Sequence, residues 1–244
     1  MVAFNKGRYR VDVAASERDL ADAQRLRAMA FRGSAQADDR DDLDPITTHI
    51  LVRDETDNTA VAAFRLMVLA RGPDIAQSYA AQHYGLGNLA AFPGKMLELG
   101  RMCQHPSYTD PDILRAGWAA ITRIVDDQDV QLLFGCSSFA GTDPSVYAHT
   151  LALLHARHLA PSEWQPEVKS PDIVRLNGAL TGEMDRKLGL KSMPALLKSY
   201  LKMGAWVSDH AVVDHDLNTL HVFTGLEVRR VPQTRQRILR RVAS

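Results

Sequence analysis

The segment Leu97-Glu98-Leu99-Gly100-Arg101 sets a carboxylate and a guanidinium three residues apart inside a stretch with strand character. Successive side chains of a strand alternate between its faces. Leu97, Leu99 and Arg101 are therefore predicted on one face, and Glu98 and Gly100 on the other. A carboxylate in such a strand has two distinct uses. Lining a cleft, Glu98 could act as a general base, its proton affinity raised by burial, while Gly100 admits a ligand close to the backbone. Paired with an arginine such as Arg65, it would instead hold strands together and do no chemistry.

Asp38, Asp39, Asp41, Asp42 and Asp44 crowd one loop and invite a hard cation. The glycine and terminal glutamate of a calcium loop are absent, so a solvated acidic loop is expected for Asp38, Asp39 and Asp42, and no metal is predicted. Cys103 and Cys136 lack a neighbouring histidine that would mark an activated nucleophile, and read as small buried hydrophobes. His105, His149, His155 and His158 have neither paired cysteines nor His-Glu-x-x-His spacing, and read as surface or packing residues.

The elements that must position these groups follow from local signals. Arg8 to Val13 reads as a strand. Ser16-Glu17-Arg18-Asp19 has the capping-box form for a helix from Glu17 to about Phe31, with Leu20, Ala23, Leu26 and Ala30 on its apolar face. His49–Asp54 and Val61–Leu69, split by a polar turn, read as an antiparallel hairpin. Gly72 to Gly94 is irregular, with a short helix around Ile75 to Gln82. Met96–Arg101 is a strand. Asp110-Pro111 opens a helix ending near Asp127, and Val130–Phe134 is a short apolar run of the kind found in buried, often parallel, strands. Further helices are expected over Ser145–His158, Pro194–Met203 and Pro232–Val242, with a strand over His221–Val228 and mainly connection over Ser162–Gly182. The sum is one mixed α/β domain spanning residues 1–244, with an antiparallel first half and a crossover in the middle.

At 244 residues, 45% hydrophobic and 24% charged, the chain can bury a substantial core, which excludes disorder and collagen. Twenty-nine lysines and arginines balance 29 aspartates and glutamates, so no nucleic acid partner is expected. MVAFNKGRYRV holds no secretory apolar stretch, and the two cysteines make no disulfide framework, so a cytoplasmic address is predicted. No apolar run approaches the roughly 20 residues that cross a bilayer. Against this neutral background Arg229, Arg230, Arg235, Arg237, Arg240 and Arg241 make a basic C-terminus, able to dock an acidic protein, to lie peripherally on an anionic membrane, or simply to form a solvated helix face.

Several separated segments carry a family resemblance. Glu98-Leu99-Gly100-Arg101-Met102-Cys103, His105-Pro106, Leu133-Phe134-Gly135-Cys136-Ser137-Ser138-Phe139, Gly141-Thr142-Asp143, Leu159-Ala160-Pro161, Met193-Pro194-Ala195-Leu196-Leu197-Lys198-Ser199-Tyr200-Leu201 and Trp206 to Asp214 together resemble the bacterial ornithine N-alpha-acyltransferases, which start ornithine-lipid synthesis. That family is similar in fold to the Gcn5-related N-acyltransferases (GNAT), and more closely to the acyl-homoserine-lactone synthases. The latter's Arg-x-x-x-Phe is matched by Arg27 and Phe31, Asp-x-x-Asp by Asp41 and Asp44, Arg-Leu by Arg65 and Leu66, and Glu-x-x-Arg by Glu98 and Arg101.

The resemblance implies a mixed, largely antiparallel central sheet flanked by helices. It implies transfer of a 3-hydroxyacyl group from acyl carrier protein to the α-amino group of L-ornithine, giving lyso-ornithine lipid. Glu98 and Arg101 would be catalytic, with Arg27, Phe31, Asp41, Asp44, Arg65, Gly100 and Ser137 contacting substrates. Transfer to another amino acid such as glutamine, acyl-homoserine-lactone synthesis, and a non-enzymatic carrier- or membrane-binding module stand as alternatives. In GNAT enzymes a glycine loop after the central strand cradles the pyrophosphate of coenzyme A. Here that interval, Cys103 to Thr109, lacks the glycines. The literal pattern at Gln82-His83-Tyr84-Gly85-Leu86-Gly87 precedes the Glu98 strand and opens no helix, so it is read as a decoy. No cofactor is expected beyond the carrier's own phosphopantetheine.

Overall fold

The computed structural model describes residues 3–243. In chain order the elements are β1 (Phe4–Lys6), β2 (Tyr9–Val13), α1 (Glu17–Arg32), β3 (Thr48–Asp54), β4 (Ala60–Leu69), α2 (Ala80–His83), β5 (Tyr84–Gly85), β6 (Lys95–Gln104) and α3 (Pro111–Gln128). There follow β7 (Val130–Ala140), α4 (Ala148–Arg157), β8 (Glu167–Val168), β9 (Ile173–Arg175), α5 (Arg186–Ser192), α6 (Ala195–Lys202), β10 (Trp206–Asp214), β11 (Thr219–Glu227) and α7 (Gln233–Ala243). Two compact units emerge, one of Met1–Val68, Leu97–Val130 and Gln233–Ser244, the other of Leu69–Met96 and Gln131–Pro232.

The first unit carries strands in the order β1-β2-β3-β4-β6. The expected hairpin forms, β3 pairing antiparallel with β4 so that His49 opposes Arg65. α1 begins where the sequence places it. The Ser16 hydroxyl accepts from the Asp19 amide at 3.1 Å, the Asp19 carboxylate reciprocates toward the Ser16 hydroxyl and the Ala15 amide, and Gly33 ends the helix at φ 72°. Ala23 and Leu26 of α1 pack on Leu51, Ala63 and Cys103. Phe64, the residue after Ala63, instead reaches to 3.6 Å of the Cβ position at Gly117 of α3, so α1 and α3 cover opposite faces of these strands. α3 starts at Asp110, whose carboxylate accepts from the Asp112 amide at 2.9 Å, with Pro111 in its first turn.

The second unit orders its strands β7-β11-β10-β9. β7 runs to Ala140, well past the apolar run seen in the sequence, and pairs antiparallel with β11 from Leu132 to Ala140. β10, not anticipated as a strand, pairs antiparallel with both β11 and β9. Phe139, Leu151, Leu154, Leu197, Val207 and Val222 centre its core. The Gly72–Gly94 stretch forms two 3-10 turns flanking α2 and β5, and no helix follows Gly87 beyond a 3-10 turn over Asn88–Ala91, as the decoy reading expected. Among the described residues no helix is long and apolar enough to cross a membrane.

Candidate active site

Four segments of the first unit meet in a buried network of arginines and aspartates. α1 contributes Arg27, which is 1% exposed. Its Nε donates to Asp39 Oδ2 at 2.8 Å, its Nη1 to Asp44 Oδ1 at 2.5 Å, and its Nη2 to the Asp39 carbonyl. From β4, Arg65 Nη1 donates to Asp41 Oδ1 at 2.5 Å and to Asp44 Oδ1 at 2.9 Å. From β6, Arg101 reaches Asp41 at 3.4 Å and Asp39 at 3.6 Å, its guanidinium carbon 5.7 Å from the centroid of the Phe31 ring. Isolated buried ions would be prohibitive. Interleaving cations and anions within hydrogen-bond distance is what lets the loop between α1 and β3 fold onto the strands.

The network sets the state of its carboxyl groups. Burial alone would raise the affinity of Asp41 for protons, but the Arg65 hydrogen bond and the charges of Arg65 and Arg101 outweigh it and hold the group below the usual carboxylate range. Asp44 is lowered in the same way, Arg27 and Gln24 overriding its desolvation. His49, opposite Arg65, is pushed down mainly by burial, its Nε2 3.1 Å from the Asp44 carbonyl. Asp44 thus spends its carboxylate on internal partners, whereas Asp41 remains 26% exposed.

Two sequence expectations are corrected here. Asp39 is not part of a solvated loop. It is buried between Arg27, Arg32 and Arg101, while Asp38 and Asp42 are exposed as expected. Arg101 does not share a face with Leu97 and Leu99 by simple alternation. It sits at φ 51°, a left-handed conformation that costs a non-glycine residue energy and breaks the period of two. The Cβ position of Gly100 lies 3.5 Å from the Arg65 side chain, Arg101 reaches the same arginine–aspartate network, and Cys103 packs against α1, while Met102 points with Phe64 toward Gly117 of α3. The left-handed backbone at Arg101 is what turns its side chain toward α1.

Glu98 lies three residues before Arg101 on this strand and is 5% exposed. Cys103 is buried, and desolvation pushes its thiol up to about 12, so it stays protonated and is no nucleophile at neutral pH. Ser137 belongs to the second unit, on β7, where its hydroxyl accepts from Thr224 of β11 at 2.8 Å. Of the residues singled out in the sequence, Arg27, Phe31, Asp41, Asp44, Arg65 and Arg101 share one network, with Gly100 against Arg65. Sequence reading missed Asp39 and His49. A count of three interior arginines needing partners would have pointed to Asp39, and nothing in local spacing marks His49.

Comparisons with known proteins bear on the family and the fold. Residues 26–119 match the Acetyltransferase (GNAT) domain. The chain is 31% identical over 236 residues to the L-ornithine N(alpha)-acyltransferase of Rhodobacter capsulatus, covering 91% of this chain and 90% of that one. It is 29% identical over 234 residues to the enzyme of the same name from Agrobacterium fabrum, covering 88% and 80%. An N-acyl amino acid synthase from uncultured soil microbes shares the fold at a TM-score of 0.52 and 11% identity, covering 91% of this chain and 93% of that one. Sheet, helices and domain match define an acyltransferase of the GNAT class, acting on nitrogen. Within that class the chain belongs to the L-ornithine N(alpha)-acyltransferase family.

Proposed function

We propose that the protein moves a 3-hydroxyacyl group from acyl carrier protein onto the α-amino group of L-ornithine, giving lyso-ornithine lipid. The observation that carries this reading is the match along nine-tenths of the chain to a relative named L-ornithine N(alpha)-acyltransferase. The buried Glu98 beside the break in β6 supplies a group able to run the chemistry.

The reaction is a thioester aminolysis. The α-ammonium must lose a proton before its nitrogen can attack, and Glu98 takes that proton, directly or through a water. The C–N bond then forms and the C–S bond breaks; of the two protons the nitrogen sheds, one goes to the departing sulfur of the phosphopantetheine arm and the other leaves through Glu98 to solvent, restoring the carboxylate. Backbone amides around Gly100, next to the left-handed residue Arg101, stabilise the oxyanion. Arg27, Arg65, Arg101 and Phe31 hold the pocket in shape. Asp41, the most open carboxylate of the three that Arg27 and Arg65 engage, suits the ammonium of the acceptor, with Asp44 keeping it in place. A donor whose phosphopantetheine is carried on a protein fits the glycine-free interval after Gln104. The C-terminal arginines dock that acidic protein and can rest peripherally on the inner membrane.

The test uses purified protein, a panel of acyl carrier thioesters and coenzyme A thioesters, and separate amino acids. Free carrier thiol and lipid product are followed by mass. Thiol release that requires both the carrier thioester and ornithine is expected. Preference for another amino acid, equal use of coenzyme A thioesters, or consumption of S-adenosylmethionine would each overturn the corresponding part of the reading.

A further inference from the structure

In the second unit, His83 at the end of α2, Asp214 at the end of β10 and His221 on β11 converge so that one ligand-competent atom from each lies within 4.8 Å of the others. The His83 and His221 rings meet edge to face at 4.9 Å. Asp214 and His221 are more than nine-tenths buried, and His83 is half-buried, leaving an approach from outside.

The hydrogen bonds around His221 decide which nitrogen is available. The Tyr84 hydroxyl donates its one proton to the His221 carbonyl at 2.8 Å. Its oxygen therefore accepts at 3.1 Å from Nδ1–H, which leaves Nε2 as the bare nitrogen with its lone pair. That Nε2 is buried and has no hydrogen-bond partner. Such an orphan carries a desolvation cost that a ligand would remove. Asp214 is oriented from behind, its Oδ1 accepting from the Leu217 amide at 3.0 Å and its Oδ2 from the Tyr79 hydroxyl at 3.4 Å. Outer hydrogen bonds of this kind set the direction of metal-binding imidazoles and carboxylates.

We infer that His83, Asp214 and His221 bind one divalent transition-metal ion of the zinc class. Two imidazole nitrogens and one carboxylate suit zinc, cobalt or nickel, whereas calcium and magnesium would want oxygen throughout. Solvent on the His83 side completes the shell. The ion would tie α2 to the β10–β11 hairpin, across more than a hundred residues of chain, and so serve as a structural clip independent of acyl transfer.

Chelator-treated protein titrated with Zn2+ against a chromogenic competitor, and separately with Co2+ for its visible absorption, tests this. One bound equivalent and a Tm raised by several degrees at saturating Zn2+ are expected. His83→Ala, at a half-exposed position, should weaken binding about tenfold or more and remove the Tm rise while leaving the metal-free Tm unchanged. Asp214→Asn should weaken binding similarly. Wild-type protein that takes up no stoichiometric Zn2+, or both variants binding as tightly as wild type, would overturn the inference.

Discussion

Arg27 is surrounded by carboxylate oxygens and has almost no contact with water, which makes it the residue whose loss the network tolerates least. Arg27→Met would remove the cation that Asp39 and Asp44 share, leaving Asp39 only its longer contacts to Arg32 and Arg101 and Asp44 only Arg65, and breaking a buried pair in this way costs about 3–5 kcal/mol. A urea midpoint lowered accordingly, with an unchanged slope, is the expected reading. The same network fixes the response to acid. Asp41 and Asp44 titrate below the ordinary carboxylate value of 3.8, so the stability they lend is complete above that pH and drains away as pH falls through their lowered values. Unfolding midpoints measured at about pH 6 and about pH 3 should diverge, and Asp44→Asn should narrow the gap. Glu98 is the residue on which the proposed chemistry rests. Glu98→Gln, nearly isosteric, should lower turnover by roughly 10²-fold or more while leaving the thermal melt close to wild type, since a general base contributes about 10²–10⁴ in rate. Thiol-release kinetics would detect it, and full activity would remove Glu98 from that role.

At the scale of elements, α1 and β6 do most of the positioning, by different means. α1 is specified locally. Ser16 and Asp19 cap its start and Gly33 stops it, and it delivers Arg27 and Phe31 to one side of the strands. Ser16→Ala should cost about 1 kcal/mol, visible as a few degrees in Tm, because a helix amide loses its acceptor. β6 is specified by its surroundings. Its sequence predicts strict alternation, and an unbroken strand would have put Arg101 among Leu97 and Leu99. The left-handed turn at Arg101 is held by ion pairs to Asp39 and Asp41, from a loop some sixty residues earlier. No window of sequence around residue 101 contains those partners.

Across the whole molecule the charges cancel, so attraction to an acidic partner must be local. α7 shows how the basic C-terminus is divided. Arg240 is committed to Asp126 of α3 through two hydrogen bonds at 3.0 Å, while Arg235 and Arg237 lie exposed beside Ile238, itself 52% exposed. Replacing Arg235 and Arg237 with glutamate should raise KM for the carrier thioester several-fold with kcat preserved, and added salt should do the same to the wild type. An unchanged KM together with weakened binding to anionic vesicles would assign the tail to membrane instead.

What the sequence by itself determined is what short stretches of chain decide: helix caps, the β3–β4 hairpin, the long apolar periods, and the residue types of the proposed acyl-transfer site strung in order along the chain. These depend on neighbours a few positions away and on residue identity, which folding does not alter. Tertiary structure alone decided that Asp39 is buried while Asp38 and Asp42 are exposed, that Arg101 turns toward α1, that β10 is a strand between β9 and β11, and that His83 meets Asp214 and His221. Each of those outcomes depends on groups brought together from distant parts of the chain, where burial and opposite charge outweigh local preference.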